Sequence, residues 1–543
     1  MTTSAVKWIL FPLALLAGIV VRLAPEIPMS FGGVQYSIWF DEVWTLLISK
    51  LPLKDALYFI HHFDANPPLS YLFLRLTPQL PDGEITRIVP GIFGILALAA
   101  FLWLGSRHLR RGEMWLAGSI LAISPIHVWY ALDLRYYSLM DFISITWFFL
   151  TVKLVSLGRE LKNARGNRTN GTQQSVTVHL WLLFSALGML THNIFAATWL
   201  AGTLCLMFCL GRAFPALFNR PLQYLWIVAP LAYWARVFLW QAEFAFGYET
   251  TLPMPAFENF LSALNDFLLL FSMVPIWLGV IFVFGPIALL IWNALDKKRA
   301  GQLVPALVPV CIWIALFPPV LLFAASHVLG NAQLFSRRYM IPTAIAVLVA
   351  WALGAAEIKW KPVRVAFIAA LAMFSLMGLY AVFYIQYPAD WKSVADWLRP
   401  GTSSSRWVIV READPNYVVS ETSCLRAYLP EILPEGFRIF SISPEGASPL
   451  PMKVRSEVAK MSDEVRKTFA RYYPPHYSFP EFNEILKEGN WTLPPEVYVA
   501  YIAAKPPPDP EIDLGEILGG SFRYEGSKRF AGIRVDLWQR KRS

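Results

Sequence analysis

The chain is poor in charge and poorer in cysteine. Only 16% of its 543 residues are charged, against about 25% in soluble globular domains. With 56% hydrophobic residues, that shortfall excludes a string of soluble domains. It also excludes disorder, which needs low hydrophobicity and high net charge. Four cysteines are too few for a disulfide scaffold in a chain of this length. Cys205, Cys209 and Cys311 lie in apolar runs and read as packing, and Cys424 stands alone. No C-x-x-C, H-E-x-x-H or G-x-x-x-x-G-K-[ST] occurs, so zincin chemistry and P-loop nucleotide hydrolysis find no support.

What the chain has instead is long apolar runs. A run near 18 residues or more is long enough to span a bilayer as a helix. About eleven are present, at roughly 7–24, 86–106, 114–131, 138–157, 178–193, 195–212, 223–241, 274–295, 303–325, 339–356 and 364–385. The formal charge of +9 belongs entirely to this part. Residues 1–385 hold 26 basic and 17 acidic side chains, while residues 386–543 hold 21 of each. The cations fall in short gaps between runs, which marks the cytoplasmic side of a membrane protein rather than a nucleic-acid-binding face. Every second gap is basic: Arg107, Arg110 and Arg111; Arg159, Lys162, Arg165 and Arg168; Arg212 and Arg220; Lys297, Lys298 and Arg299; Lys359, Lys361 and Arg364. This predicts a cytoplasmic N-terminus, kept as an anchor because no small-residue cleavage site follows it. It also predicts an extracytoplasmic tail. The sequons at Asn167 and Asn170 then face the cytoplasm and stay unmodified.

The fold expected is an α-helical polytopic membrane protein with a C-terminal extracytoplasmic α/β domain. Residues 1–385 form the membrane domain and 386–543 the outer one. The first outer loop, 25–85, carries apolar residues at helical spacing and suggests helices lying in the interface, with Pro67 and Pro68 separating two of them. In the tail, 408–410, 437–442, 497–503 and 530–538 read as strands. Residues 393–398 and 457–472 read as helices, and the proline-rich stretch 473–510 as largely loop.

Charged residues near membrane depth are costly and usually functional. Asp41 and Glu42 are embedded in Trp39-Phe40 and Val43-Trp44, an apolar setting suited to a general base, although acids also favour a helix N-terminus. Asp64 follows His61 and His62 and precedes Asn66-Pro67-Pro68. It reads as a cap and turn, or with His62 and Asp41 as ligands of a divalent ion, at a spacing that matches no specific metal motif. Asp133, Arg135, Tyr136 and Tyr137 occupy a short outer gap, and Arg236 and Glu243 lie near the outer end of another run, where a local ion pair is the simple reading. His192 and Asn193 sit at a hairpin tip. Arg337 and Arg338, before Tyr339, break the inside bias of the cations. Two planar guanidiniums there suit a phosphate clamp, and contact with lipid headgroups is the alternative.

In order, these motifs resemble the polyprenyl-phosphate-sugar-dependent glycosyltransferases of the GT-C fold, in the bacterial branch related to dolichyl-phosphate-mannose protein mannosyltransferases. Asp41-Glu42 matches the acidic pair of the first outer loop. His62, Asp64, Pro67, Pro68 and Leu69 match H-x-D-x-x-P-P-L. Tyr130, Asp133, Arg135 and Tyr137 match a Tyr-x-x-Glu-x-Arg-x-Tyr-like stretch with Asp for Glu. Thr191-His192 matches a Thr-His at a later tip, Ser336, Arg338 and Tyr339 a Ser-Arg-Tyr with Arg337 added, and Asp390-Trp391-Lys392 an Asp-Trp-Arg. The likeness covers about 1–400.

The resemblance implies a membrane glycosyltransferase of the bacterial inner membrane. It implies a polyprenyl-phosphate-linked sugar donor, an extracytoplasmic glycan, lipid or protein acceptor, an inverting mechanism and no nucleic-acid partner. Asp41 would be the base, with Glu42 orienting it or the acceptor. Arg337, Arg338, Tyr339 and Arg135 would hold the lipid phosphate, and His62, Asp64, Asp133, Tyr137 and His192 the substrate. A divalent metal is left open. Two other readings stand beside it: an oligosaccharide ligase or polymerase using a polyprenyl-diphosphate donor, and a lipid-linked sugar transporter. The transporter would call for inverted repeats and midplane polar residues, and the sequence shows neither.

Overall fold

The computed structural model describes residues 3–23, 40–64, 66–76, 87–163, 171–218, 276–330, 337–384, 391–398, 406–411, 438–443, 457–472, 476–478, 496–502, 522–530 and 533–541, with isolated residues between 224 and 261 and at 335, 425, 484, 494 and 518. The chain forms two compact units. One comprises residues 1–27, 60–70 and 88–382, the other residues 28–59, 71–87 and 383–543.

The first unit is helical. Its principal helices are α1 (Thr3–Leu23), α5 (Ile88–Gly105), the pair α6 (Arg111–Ile123) and α7 (Pro125–Leu132), α8 (Tyr137–Asn163), α9 (Gly171–Thr191), α10 (Phe195–Leu210), α11 (Ile276–Arg299), α12 (Leu307–Val328), α13 (Ile341–Glu357) and α14 (Lys361–Tyr384). Short helices α2 (Phe40–Lys50), α3 (Leu53–Phe63) and α4 (Leu69–Arg75) fall in the loop 25–85. Among the described residues, eight helices are long and apolar enough to cross a membrane, or nine if α6 and α7 form one broken span. The protein is therefore an integral membrane protein, and the described residues do not confirm the count of eleven. The described apolar part of α1, Pro12–Leu23, is short of the length required, and the run 223–241 lies mostly outside the described residues.

A helix apolar on every side belongs in the middle of a bundle. α13 is such a helix. Ile341 through Ala352 are all buried, and α13 packs against α6, α8, α11 and α12. α8 packs against α5, α9 and α13. Close approach needs small residues where helices cross. A Cβ on Gly202 of α10 would lie 2.2 Å from the Trp147 ring of α8, and one on Gly18 of α1 would lie 2.5 Å from the Ala122 carbonyl of α6.

The run 114–131, expected as one span, is bent by 47° between α6 and α7. Ser124 has φ −66° and ψ 119°, off the helix. Proline disfavours helical geometry in the residue before it and is well suited to a first turn, so Pro125 ends one helix and starts the next.

In the second unit the sheet order is β3-β2-β1-β4-β6-β5, with β1 (Arg406–Arg411), β2 (Arg438–Ser443), β3 (His476–Ser478), β4 (Glu496–Ile502), β5 (Phe522–Phe530) and β6 (Ile533–Arg540). β1 to β4 pair in parallel, and β6 pairs antiparallel with β4 and β5. The buried run Trp407-Val408-Ile409-Val410 suits a central parallel strand covered on both faces. β5, with Arg523, Glu525, Lys528 and Arg529, has the charged character of an edge. Two strands differ from the sequence reading: β3 interrupts the stretch expected as loop, and β5 was not anticipated. Both are poor in apolar alternation. Helices α15 (Trp391–Leu398) and α16 (Asp463–Tyr472) match expectation. Within this unit Phe469 of α16 meets Trp44 of α2 at 6.4 Å and Phe59 of α3 at 4.8 Å between ring centroids. The Tyr58 hydroxyl donates to Glu457 at 2.8 Å. Burial, then Glu457, push the Tyr58 phenol up to about 12.

Candidate active site

The first unit brings together residues from three separate motifs. Arg135, Tyr136 and Tyr137 come from the turn between α7 and the start of α8. His192 comes from the tip between α9 and α10, and Arg338 and Tyr339 from the single 3-10 turn Arg337–Met340 before α13. Arg338 Nη1 lies 3.5 Å from the Tyr137 hydroxyl. Each arginine covers the ring of the next tyrosine, Arg135 over Tyr136 and Arg338 over Tyr339, both at 5.4 Å. Ring centroids are 4.4 Å apart for Tyr136–Tyr137, Tyr130–Tyr137 and Tyr136–His192, and 4.9 Å for His192–Tyr339. A guanidinium over an aromatic face is stabilised by the ring quadrupole, so this cage helps to hold cationic groups at the ends of helices.

The electrostatics of the two titratable groups in the cage agree with that. Burial first, then Arg338 and Arg135, hold the His192 imidazole well below its usual range. It is neutral and works as a hydrogen-bonding group: its Nδ1 accepts from the Ile194 backbone N–H at 3.0 Å. Burial, then Tyr137 and Tyr339, push the Tyr136 phenol well up, partly offset by Arg135 and Arg338. Both guanidiniums therefore act on the same ring groups, although they are about two hundred residues apart in the chain. Asp133 is buried at the start of the same turn, as the last residue bounding α7.

Asp64 and His62 also lie in this unit. Asp64 Oδ1 accepts from the Asn66 backbone N–H and from Asn66 Nδ2, both at 2.8 Å. This local turn, in front of Pro67-Pro68, is the cap-and-turn role weighed for Asp64 from sequence. His62 is half-buried at the end of α3. Among the described residues no group of three His, Cys, Asp or Glu side chains converges as a metal site would require.

The acidic pair lies in the second unit. Asp41 stands in the first turn of α2 by its backbone, its side chain being outside the described residues. Glu42 is fully buried, and Arg87 donates to both its oxygens, at 2.6 and 2.8 Å. With its carboxylate engaged by Arg87, Glu42 is suited to orienting the first turn of α2 rather than to meeting an acceptor. Arg87 escaped the sequence reading. The signal for it was a cation at the start of an apolar run, on the side that the inside rule assigns to the exterior. The side chains of Arg337 and Lys392, and all of Arg236, Glu243 and Asp390, lie outside the described residues.

No family model matches the chain, and no curated protein matches it. Similarity appears in three dimensions. The crystal structure of apo ArnT from Cupriavidus metallidurans aligns with a TM-score of 0.52 at 12% identity, over 98% of each chain. The same protein bound to undecaprenyl phosphate aligns with a TM-score of 0.50 at 13% identity, over 99% of this chain and 98% of that one. At such identities the likeness speaks to fold, and over essentially its full length this chain has the GT-C fold that its ordered motifs resemble.

Proposed function

We propose that the protein is a membrane glycosyltransferase that moves a sugar from a polyprenyl-phosphate donor to an acceptor hydroxyl on the extracytoplasmic side of the bacterial inner membrane, inverting the anomeric centre. The observation that carries this reading is the cage in which Arg135 and Arg338 share Tyr136, Tyr137, His192 and Tyr339. Two guanidiniums dressed by aromatic faces match the oxygens of a phosphate, and the rings around them suit a lipid carrier. A protein of the same fold has been crystallised with undecaprenyl phosphate, which supports a carrier of that class.

In this reading Asp41 accepts the proton of the acceptor hydroxyl. The oxygen attacks the anomeric carbon from the side opposite the phosphate. The bond from that carbon to the bridging oxygen breaks, and its electron pair leaves with the lipid phosphate. Negative charge therefore grows on the phosphate in the transition state, where preorganised donors are most effective. Arg338 and Arg135 take that role. Neutral His192 packs and hydrogen-bonds within the cage and leaves the positive charge to the arginines. Glu42, held by Arg87, fixes the turn that carries Asp41.

The test is transfer by the purified protein from polyprenyl-monophosphate and polyprenyl-diphosphate sugars offered separately. Product from the monophosphate donor, reduced by about 10²–10³ in Arg338→Ala, is the expected result. Product from the diphosphate donor alone would make the protein a ligase or polymerase. Movement of donor across a vesicle membrane without transfer would make it a transporter.

A further inference from the structure

Behind the cage, within the same unit, lies a second polar cluster that the reaction does not use directly. His127 is in the first turn of α7 and Asp141 in the second turn of α8. Their side chains meet at 2.9 Å between Nδ1 and Oδ2, and both are buried. Arg22, near the end of α1 and equally buried, donates through Nη1 to Ala122 O at 2.7 Å and through Nη2 to Leu121 O at 3.2 Å. It also interacts electrostatically with Asp141. Those carbonyls belong to the last turn of α6, at the bend before Pro125, where Leu121 O also accepts from the Ser124 N–H at 3.4 Å. The last carbonyls of a helix are partly negative, so Arg22 caps α6 where it breaks.

This cluster is expensive. His127 Nε2, Asp141 Oδ1, Arg22 Nε and Ser124 Oγ have no hydrogen-bond partner among the described residues. Apolar side chains of similar volume would pack a bundle interior at no such cost. Its placement supplies a reason. The pair bridges residues 127 and 141, and the turn enclosed between them is Asp133 to Tyr136, flanked by Tyr130 and Tyr137. These are the residues that aim Arg135 and frame Arg338. The kink at Pro125 frees α7 from the axis of α6, so the angle of α7 has to be set by contacts. Arg22 holds the end of α6, and His127 with Asp141 ties α7 to α8. Gly94 permits the approach: a Cβ there would lie 2.7 Å from Ala131 and 3.1 Å from Arg22 Cδ.

We infer that His127 and Asp141, backed by Arg22, are positioning residues that set the α7–α8 turn and thereby the aim of Arg135 and Tyr137 at the donor phosphate. This inference rests on the donor reading above. It predicts an effect on donor binding more than on turnover, because a mis-set turn misplaces phosphate contacts made throughout the reaction.

The test uses full-length purified variants and two readouts, donor KM and kcat in sugar transfer, and binding of undecaprenyl phosphate alone. His127→Ala is expected to raise donor KM and to weaken undecaprenyl-phosphate binding by roughly tenfold, a moderate cost for a misplaced group, with little change in kcat. His127→Asn, whose amide can donate from the place of Nδ1, is expected to restore most of both. An unchanged KM, or a fall in kcat alone, in His127→Ala would overturn the inference. Should that variant fail to fold, Asp141→Asn decides, since it keeps the shape and removes only the charge; undecaprenyl-phosphate binding equal to wild type would overturn it. The binding readout also separates the two readings. A wild type that binds the lipid but transfers no sugar would sink the transfer reaction, while weakened binding in His127→Ala would still uphold the positioning role. A wild type that binds no undecaprenyl phosphate would sink both.

Discussion

Arg87 and Arg338 bring cationic charge into the protein in opposite ways. Arg87 gives both donors of its fork to Glu42, and the two charges close on each other at full burial. Arg338, half-buried, leans on the Tyr137 hydroxyl and the Tyr339 ring, and with Arg135 it lowers the proton affinity of His192. The first arrangement consumes charge to hold backbone in place. The second sets a guanidinium against aromatic side chains. Arg87 meets a bidentate carboxylate, whereas Arg338 lies against a phenol hydroxyl and a ring face, which stabilises a guanidinium through its quadrupole. The sequence shows both arginines on the side from which cations are normally kept away, and only their partners separate a strut from a site.

Five single substitutions and one paired change would break or sharpen this contrast. The largest effect is expected at Asp41, the residue beside the closed pair. Asp41→Asn should lower sugar transfer by about 10²–10⁴, the usual value of a general base, while undecaprenyl-phosphate binding stays at the wild-type level. Transfer near the wild-type rate would remove Asp41 from that role. Next, Arg87→Ala should destabilise the protein by about 3–5 kcal/mol, because it strands a buried carboxylate. The paired change Glu42→Gln with Arg87→Met should recover much of that loss in the thermal midpoint in detergent.

Arg338→Ala should show the reverse pattern. Transfer is expected to fall by about 10²–10³, as when one charge-stabilising donor is lost, and lipid-phosphate binding to weaken, with a midpoint shift well below that of Arg87→Ala. Equal shifts in the two variants would erase the distinction between strut and site.

The smallest effects are in the pH dependence of stability, and they carry opposite signs in the two units. The His192 imidazole is held below its ordinary pKa of 6.5. The unfolded chain therefore binds more protons just below that pH, and stability is lost as pH falls beneath it. His192→Asn should flatten this acid limb. The Tyr58 phenol is raised from 10 to about 12, so its contribution is complete below pH 10 and is lost as pH rises toward 12. Tyr58→Phe should flatten the alkaline limb. Thermal midpoints across pH check both, and a limb unchanged in its variant would discard that assignment.

Much of the architecture was legible because a bilayer imposes one simple demand on a helix, a run of apolar residues about 20 long. α5, α8 and α12 follow their runs within a few residues. The break at Ser124 was not read, although Pro125 announces it, because the apolar run continues unchanged through the kink. The cage residues were each visible as polar or aromatic exceptions. That Tyr136 stands between Tyr137 and His192 was not, since ring contacts have no signature at that separation. Arg22, His127 and Asp141 were passed over for a related reason. Each sits inside or at the end of an apolar run and, taken singly, looks like an isolated polar residue.

By itself, then, the amino-acid order determined the membrane helices, the four-stranded parallel core of the tail in part, and the residue types available at the span ends. Those follow from local properties: apolar length, alternation and the geometry of proline. Tertiary structure alone decided that Arg87 meets Glu42 and that Arg338 meets Tyr137 and Tyr339, because a guanidinium's partner is whatever side chain folding brings within reach, and Glu42 and Arg87 are 45 residues apart in the chain.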